Sequence, residues 1–380
     1  MSTSPHPLRA LFATAGIVSS ALVLLAIAGR PSAEAGERYT LSGPEVAIYD
    51  LAGAVKLEAG SGSAVVVEVD RDGADAARLS VLTGTIGGRQ TLRVRTPSDR
   101  VRYRGLSHGS NTNLRVRDDG TFGDDRDDDG HRVTISRDGG GLEAWADLTV
   151  SVPRGQQLTL RLAVGAVTAS NVDGTLRIDT MNSAVSTSGT RGTLSVDTGS
   201  GEVTVLGAQG DVAVDTGSGP VEVSGIRGGR LSLDTGSGHV AVDDCKVDKL
   251  HADTGSGGVA VRALDSPNVD LDTGSGGIDV DVATDVESLV ADTGSGHITL
   301  SVPPTLGATF ELSSSSGGIK IEVPHETTYL DSDEARGRIG DGRGRIRLQS
   351  GSGSVRIRPR TSGGSSLLML PEPMTGSTLE

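Results

Sequence analysis

One pentapeptide, Asp-Thr-Gly-Ser-Gly, recurs six times in this chain, beginning at Asp197, Asp215, Asp234, Asp253, Asp272 and Asp292. The spacings are 18, 19, 19, 19 and 20 residues. A unit this short cannot enclose a core of its own, so successive copies must stack on one another. Degenerate copies extend the series: Asp179 begins DTMNSAV, Arg161 begins RLAVGAV, Ser313 begins SSSSGGI and Gln349 begins QSGSGSV. An early echo, GAVKLEAGSG at 53–62, aligns without gaps on GDVAVDTGSG at 210–219.

Apolar residues alternate on both sides of each copy. Leu194/Val196, Val212/Val214, Leu231/Leu233 and Val269/Leu271 precede the string; Val203/Val205, Val221/Val223, Val240/Val242, Ile278/Val280 and Ile298/Leu300 follow it. A period of two means strands with one buried face. Each unit is therefore two short strands around a Gly-rich turn. The fold class expected is all-β: a β-solenoid of stacked parallel rungs of about 19 residues, spaced by roughly 4.8 Å, with a β-rich N-terminal insertion. The turn itself predicts Asp as an Asx cap, Gly at positive φ, and Thr or Ser bonding the backbone. A narrow interior agrees with an aromatic content of 2%.

The same reading divides the chain. Residues 1–35 have the form of a secretory signal: Arg9, an apolar run over 10–29, and Ala33-Glu34-Ala35 as a small-x-small cleavage site. An uncleaved membrane anchor is the alternative, since the run is long enough to span a bilayer. Residues 36–69 form a first rung-like unit, 70–158 a β-rich head or cap that takes Tyr103 and Trp145, and 159–323 the main stack. Residues 324–347 are a second insertion, 348–359 a last rung, and 360–380 a polar tail expected to be disordered. The location expected is extracytoplasmic: periplasm, cell surface or secreted.

Charge and cysteine content exclude several classes. A net charge of -14 argues against nucleic acid as a partner. A single cysteine, Cys245, excludes an internal disulfide framework and a four-cysteine zinc site, and reads as a small buried apolar residue.

Few constellations could carry chemistry. Asp-Thr-Gly-Ser after an apolar residue resembles the active-site loop of pepsin-like proteases, whose chemistry needs two carboxylates face to face. Six copies along a stack put their carboxylates in a row along one edge instead. That row costs roughly 1 kcal/mol per neighbouring pair in water, which turn hydrogen bonds or bound cations would offset. In the acidic loop 118–130, Asp125, Asp127 and Asp129 followed by Gly130 match the opening of a calcium loop. They are the candidate metal ligands, with calcium the candidate cofactor. The closing glutamate is absent, because Ser136 holds the twelfth position. His239, His251 and His297 fall within the repeats; His239 and His297 both follow the pentapeptide directly, three repeats apart, too far for a shared metal, and read as a variable turn position.

With its serial DTGSG turns, as in GTLSVDTGSGEVTV and GDVAVDTGSGPVEV, the chain resembles the bacterial DUF4097 proteins, described as candidate adhesins, and the related head domains of autotransporter adhesins. AIYDLAGAVKLEAGSGSAVVVEV and ADLTVSVPRGQQLTLRLAVGAVTASNVDG also look like that family. The resemblance implies a β-solenoid with an extracytoplasmic or surface role, and it carries over no catalytic residue. The expected function is non-enzymatic adhesion or binding of a surface ligand, polysaccharide or protein, with a membrane contact only if the signal segment is uncleaved. Two rival readings remain: a purely structural envelope scaffold, and an enzyme acting on envelope polysaccharide.

Overall fold

The computed structural model describes residues 36–123 and 130–361. Residues 1–35, expected to be a secretory signal, the calcium-loop candidates Asp125, Asp127 and Asp129, and the tail from 362 lie outside the described residues. Among the described residues no helix is long and apolar enough to cross a membrane. Their one helical element is a 3-10 turn at Ala76–Arg78.

Alternation is realised as a β-solenoid with two ladders of parallel strands, joined into one continuous sheet through the long strands Gln156–Ser170 and Asp173–Ser188. In the rung 209–224, Gln209–Thr216 lies in one ladder and Val221–Ser224 in the other. Val212 and Val214 face inward from the first, Val221 and Val223 from the second, all at most 3% exposed. Each strand pairs in parallel with its equivalent one rung on: Arg191–Ser200 with Gln209–Thr216, then Arg227–Thr235, then Lys246–Thr254. The in-register aliphatic columns make one continuous core. Cys245 belongs to a buried turn column with Val172, Thr190, Ala208 and Ile226, joined by Gln209 N–H to Thr190 O, Arg227 N–H to Ala208 O and Lys246 N–H to Ile226 O. Burial pushes its thiol pKa up to about 11, so it fills space rather than reacts.

Rung order in space departs from order in sequence at the C-terminal end. Ser288–Thr293 pairs in parallel with Gly344–Ser350, and Gly344–Ser350 with Ala308–Ser314. The rung 344–359, last in the chain, is thus inserted between 288–302 and 308–321. Glu334–Ile339 then runs antiparallel on Ala308–Ser314, with Glu326–Leu330 outside it. Residues 324–343 are the excursion that lets the chain turn back and slide a rung into the stack, so the insertion expected over 324–347 ends where strand Gly344–Ser350 begins.

The N-terminal end is closed by strands from the interrupting segment. Glu45–Gly60 is the first rung, paired with Gln156–Ser170. On its far side Arg89–Arg95 and Trp145–Pro153 pair with its two halves. Antiparallel strands Val65–Asp72, Glu37–Leu41 and Ser80–Ile86 complete the cap, so parallel stacking gives way to antiparallel ribbons where an open edge would invite pairing. A separate four-stranded sheet, drawn from residues 100–143, packs on the outside of the first two rungs. Its Phe122 meets Tyr49 edge-on at 5.8 Å, and Tyr103 meets Trp145 at 5.6 Å. Four aromatics, Tyr49, Tyr103, Phe122 and Trp145, gather in this second core, whereas the solenoid core buries only Phe310 among the described residues.

Candidate functional site

Register aligns the motif residue by residue. Asp179, Asp197, Asp215, Asp234, Asp253, Asp272 and Asp292 stand in one outward column, and the adjacent threonines Thr180 to Thr293 in one inward column. The outward column starts as Tyr49 and Arg161 and ends as Gln349 and Ser313.

The threonines do the capping. Thr254 Oγ1 donates to Gly238 O of the rung before at 2.8 Å and accepts from Gly257 N–H at 3.1 Å. Thr273 and Thr293 repeat both bonds. Ser350 and Ser314 do the same in the degenerate rungs, donating to Gly296 O and Gly353 O, each at 2.8 Å. A spine of hydroxyls therefore runs inside the turn, buried to 4% exposure or less from Thr180 to Ser350.

Two expectations for the turn are corrected. Among the described residues no turn N–H bonds the carboxylates of Asp197, Asp215, Asp234, Asp253, Asp272 or Asp292, so the Asx cap is absent; the N–H two residues on, such as Gly255 after Asp253, donates instead to the backbone oxygen of Thr235 one rung before. Nor is positive φ what selects glycine. Among the DTGSG glycines only Gly201 has it, at 145°. The requirement is close approach: a Cβ on Gly238, Gly257, Gly276 or Gly296 would overlap the carbonyl oxygen of the matching glycine one rung before.

The aspartates carry an electrostatic load. Burial, then the Asp215 charge, raises the pKa of Asp197, with Arg177 and Arg161 pulling the other way. Burial, then Asp215 and Asp253, raises Asp234. Burial, then Asp253, Asp292 and Asp270, raises Asp272. At the head of the column Arg161 closes the series, its guanidinium 2.8 Å from Asp179. The carboxylates stand side by side rather than converging, which is not the facing pair of an aspartic protease. Among the described residues no group of three or more His, Cys, Asp or Glu side chains could hold a metal ion. The histidines go separate ways: His251 Nδ1 lies 3.3 Å from Asp270, and His297 Nδ1 accepts from Ser354 N–H at 2.9 Å.

Next to the column's head lies a cleft of about 870 Å³ between the solenoid face and the separate sheet. Arg177 and Met181 line it from the solenoid, Arg115, Phe122 and Arg132 from the inserted segment. Sequence reading missed it, since its two walls are about 50 residues apart and meet only through the fold. The role of Arg161 was closer to hand, because Arg stands there in the place that Asp holds in later copies.

Two ladders of short parallel strands, glycine-stacked turns and an antiparallel cap at each end define a β-solenoid repeat protein. The chain belongs to the DUF4097 family: the model described as Toastrack DUF4097 matches residues 143–358, more than half of its length. Among solved structures, a chain from Clostridium sporogenes described as a "putative cell adhesion protein" aligns over 86% of this chain and 100% of its own, at 9% identity. Its TM-score is 0.21, too low for a common fold to be read from it. A search of the curated proteins found no match.

Proposed function

We propose that this protein is a non-enzymatic, extracytoplasmic solenoid that binds a surface ligand, polysaccharide or protein, through its aspartate edge. The carrying observation is that the threonine and the glycines hold the turn together, whereas the outward aspartate has no hydrogen-bond partner in it. The hydroxyl is needed for the spine and the glycine for stacking. Where the motif degenerates, Ser350 and Gly353 keep both features while Gln349 replaces the aspartate in an unbroken register. The aspartates bond nothing in the turn, and burial together with the neighbouring carboxylates raises the pKa of Asp197, Asp234 and Asp272, a cost that an external contact with a cationic or metal-bridged ligand would offset.

The test replaces Asp215, Asp253 and Asp292 by Asn and compares attachment of wild-type and variant protein to isolated envelopes. Lost attachment with unchanged or higher melting temperature supports the reading. Unchanged attachment favours the scaffold alternative, for which the spine and the stacking glycines are sufficient reason for the repeat. Running the assay with EDTA and with millimolar calcium separates a bare carboxylate contact from a calcium-bridged one.

A further inference from the structure

We propose that the cleft between the inserted sheet and the solenoid face is a second binding site, for an oxyanionic ligand bearing more than one carboxylate or phosphate group. It is chemically opposite to the aspartate edge and does not depend on that edge's role.

The argument starts from charge in a protein of net charge -14. Arg89, Arg115, Arg132, Arg161 and Arg177 line the cleft, against Glu45, Asp179 and Asp197. Two of the carboxylates are already matched within the protein. Arg89 lies 3.6 Å from Glu45, and Arg161 2.8 Å from Asp179. Arg115 donates to Gly130 O at 3.0 Å. Among the described residues Arg132 and Arg177 make no ion pair within 4 Å and no side-chain hydrogen bond, Arg177 attracting the third carboxylate, Asp197, only from farther off, and both are exposed. They come from opposite walls, Arg132 from strand His131–Ser136 and Arg177 from strand Asp173–Ser188.

Position adds to charge. The guanidinium fork matches planar carboxylate and tetrahedral phosphate two bonds at a time. Two such forks on facing walls suit a ligand with at least two separated anionic groups better than a single ion. Phe122 and Met181 border the same space, and Met181 is 38% exposed, one of few large apolar side chains left open. Apolar surface beside the forks lowers the local dielectric and strengthens ion pairing there. It also gives the carbon skeleton of a ligand a face to rest on.

The test is calorimetric titration of the full-length protein with tetra-galacturonate and, separately, with tripolyphosphate, at low and at raised salt. The expected result is millimolar or tighter binding of at least one probe, weakened about tenfold by Arg132→Gln together with Arg177→Gln, with melting temperature unchanged. The probe that binds identifies the anionic group as carboxylate or phosphate. Arg345→Gln with Arg356→Gln, far along the rod, is the control for overall charge. Binding of neither probe, binding indifferent to Arg132 and Arg177, or equal weakening by the distant pair each overturns the proposal. Because Arg132 and Arg177 are not members of the aspartate column, failure here leaves the edge reading standing, and the reverse.

Discussion

Gln349 stands beside Asp292 in the outward column, while one residue on Ser350 stands beside Thr293 in the inward one. The pair separates what the rung needs from what it merely carries. The inward position changes only from one hydroxyl to another; the outward one loses its charge. The spine is the more sensitive target. Thr254→Val should leave Gly257 N–H and Gly238 O without their partner in a buried turn, at a cost of about 1–3 kcal/mol. Thr254→Ser should cost less, because Ser314 and Ser350 already serve. Urea unfolding of the two variants checks the order.

Stacking glycines should be less forgiving than turn glycines. Gly257→Ala places a methyl against the Gly238 carbonyl and should destabilise by about 1–3 kcal/mol or more through forced backbone shifts. Gly207 has φ of 65° with open space around its Cβ position, so Gly207→Ala should cost only the left-handed penalty of about 1–2 kcal/mol. Melting temperatures of the pair give the comparison.

The aspartate column makes stability depend on pH with a definite sign. Asp197, Asp234 and Asp272 have raised pKa values in the folded state, by burial first and by neighbouring carboxylates second. The folded chain therefore binds their protons more tightly than the unfolded one. Their favourable contribution is full below the unfolded value of about 3.9 and is lost as pH rises through the folded values. Replacing all three by Asn should raise the melting temperature at pH 7, and the gain should vanish on acidification. A constant difference at every pH would contradict the assignment.

Asp50 poses the same question inside the protein. It takes the inward position of the first rung, in register with Leu162 and then Thr180. It is 1% exposed, and its Oδ2 has no hydrogen-bond partner among the described residues. Burial, with the nearby Asp147 charge, pushes its pKa well up, against bonds from Ala52 and Leu51 N–H. Burial, Asp147 and Asp50 together push Tyr103 up to about 12. Asp50→Asn should therefore stabilise the cap at neutral pH and do little below the unfolded carboxylate range, as read by thermal unfolding at several pH values.

The fold was legible because a period of two inside a period of 18 to 20 admits few solutions, and the column Val212, Val214, Val221, Val223 shows the solenoid interior at sight. The turn was legible in composition but not in mechanism. Thr and Asp are both plausible caps, and only register shows that the hydroxyl faces inward at Thr254 while the carboxylate faces solvent at Asp215. The cleft was not legible at all: Arg132 lies in the inserted segment and Arg177 in a repeat strand, and nothing local marks two arginines that line one cleft only through the fold.

The inserted rung makes the last prediction. Strand Ala308–Ser314 reaches the rest of its sheet through Gly344–Ser350, which pairs with both it and Ser288–Thr293. Stacked repeats take their stability from nearest neighbours. A chain ending at 302 should keep its stack and unfold cooperatively, because each remaining rung retains its neighbour. A chain ending at 340 holds thirty-odd residues more, yet its 308–339 segment has lost the rung that joins it to the stack. That segment should be cleaved rapidly by protease and exchange its amide hydrogens freely, while 45–302 stays protected. Protection of 308–321 in the longer truncation would mean that it can dock directly on 288–302. The order of the final rungs would then follow from the chain's arrival and not from their mutual fit.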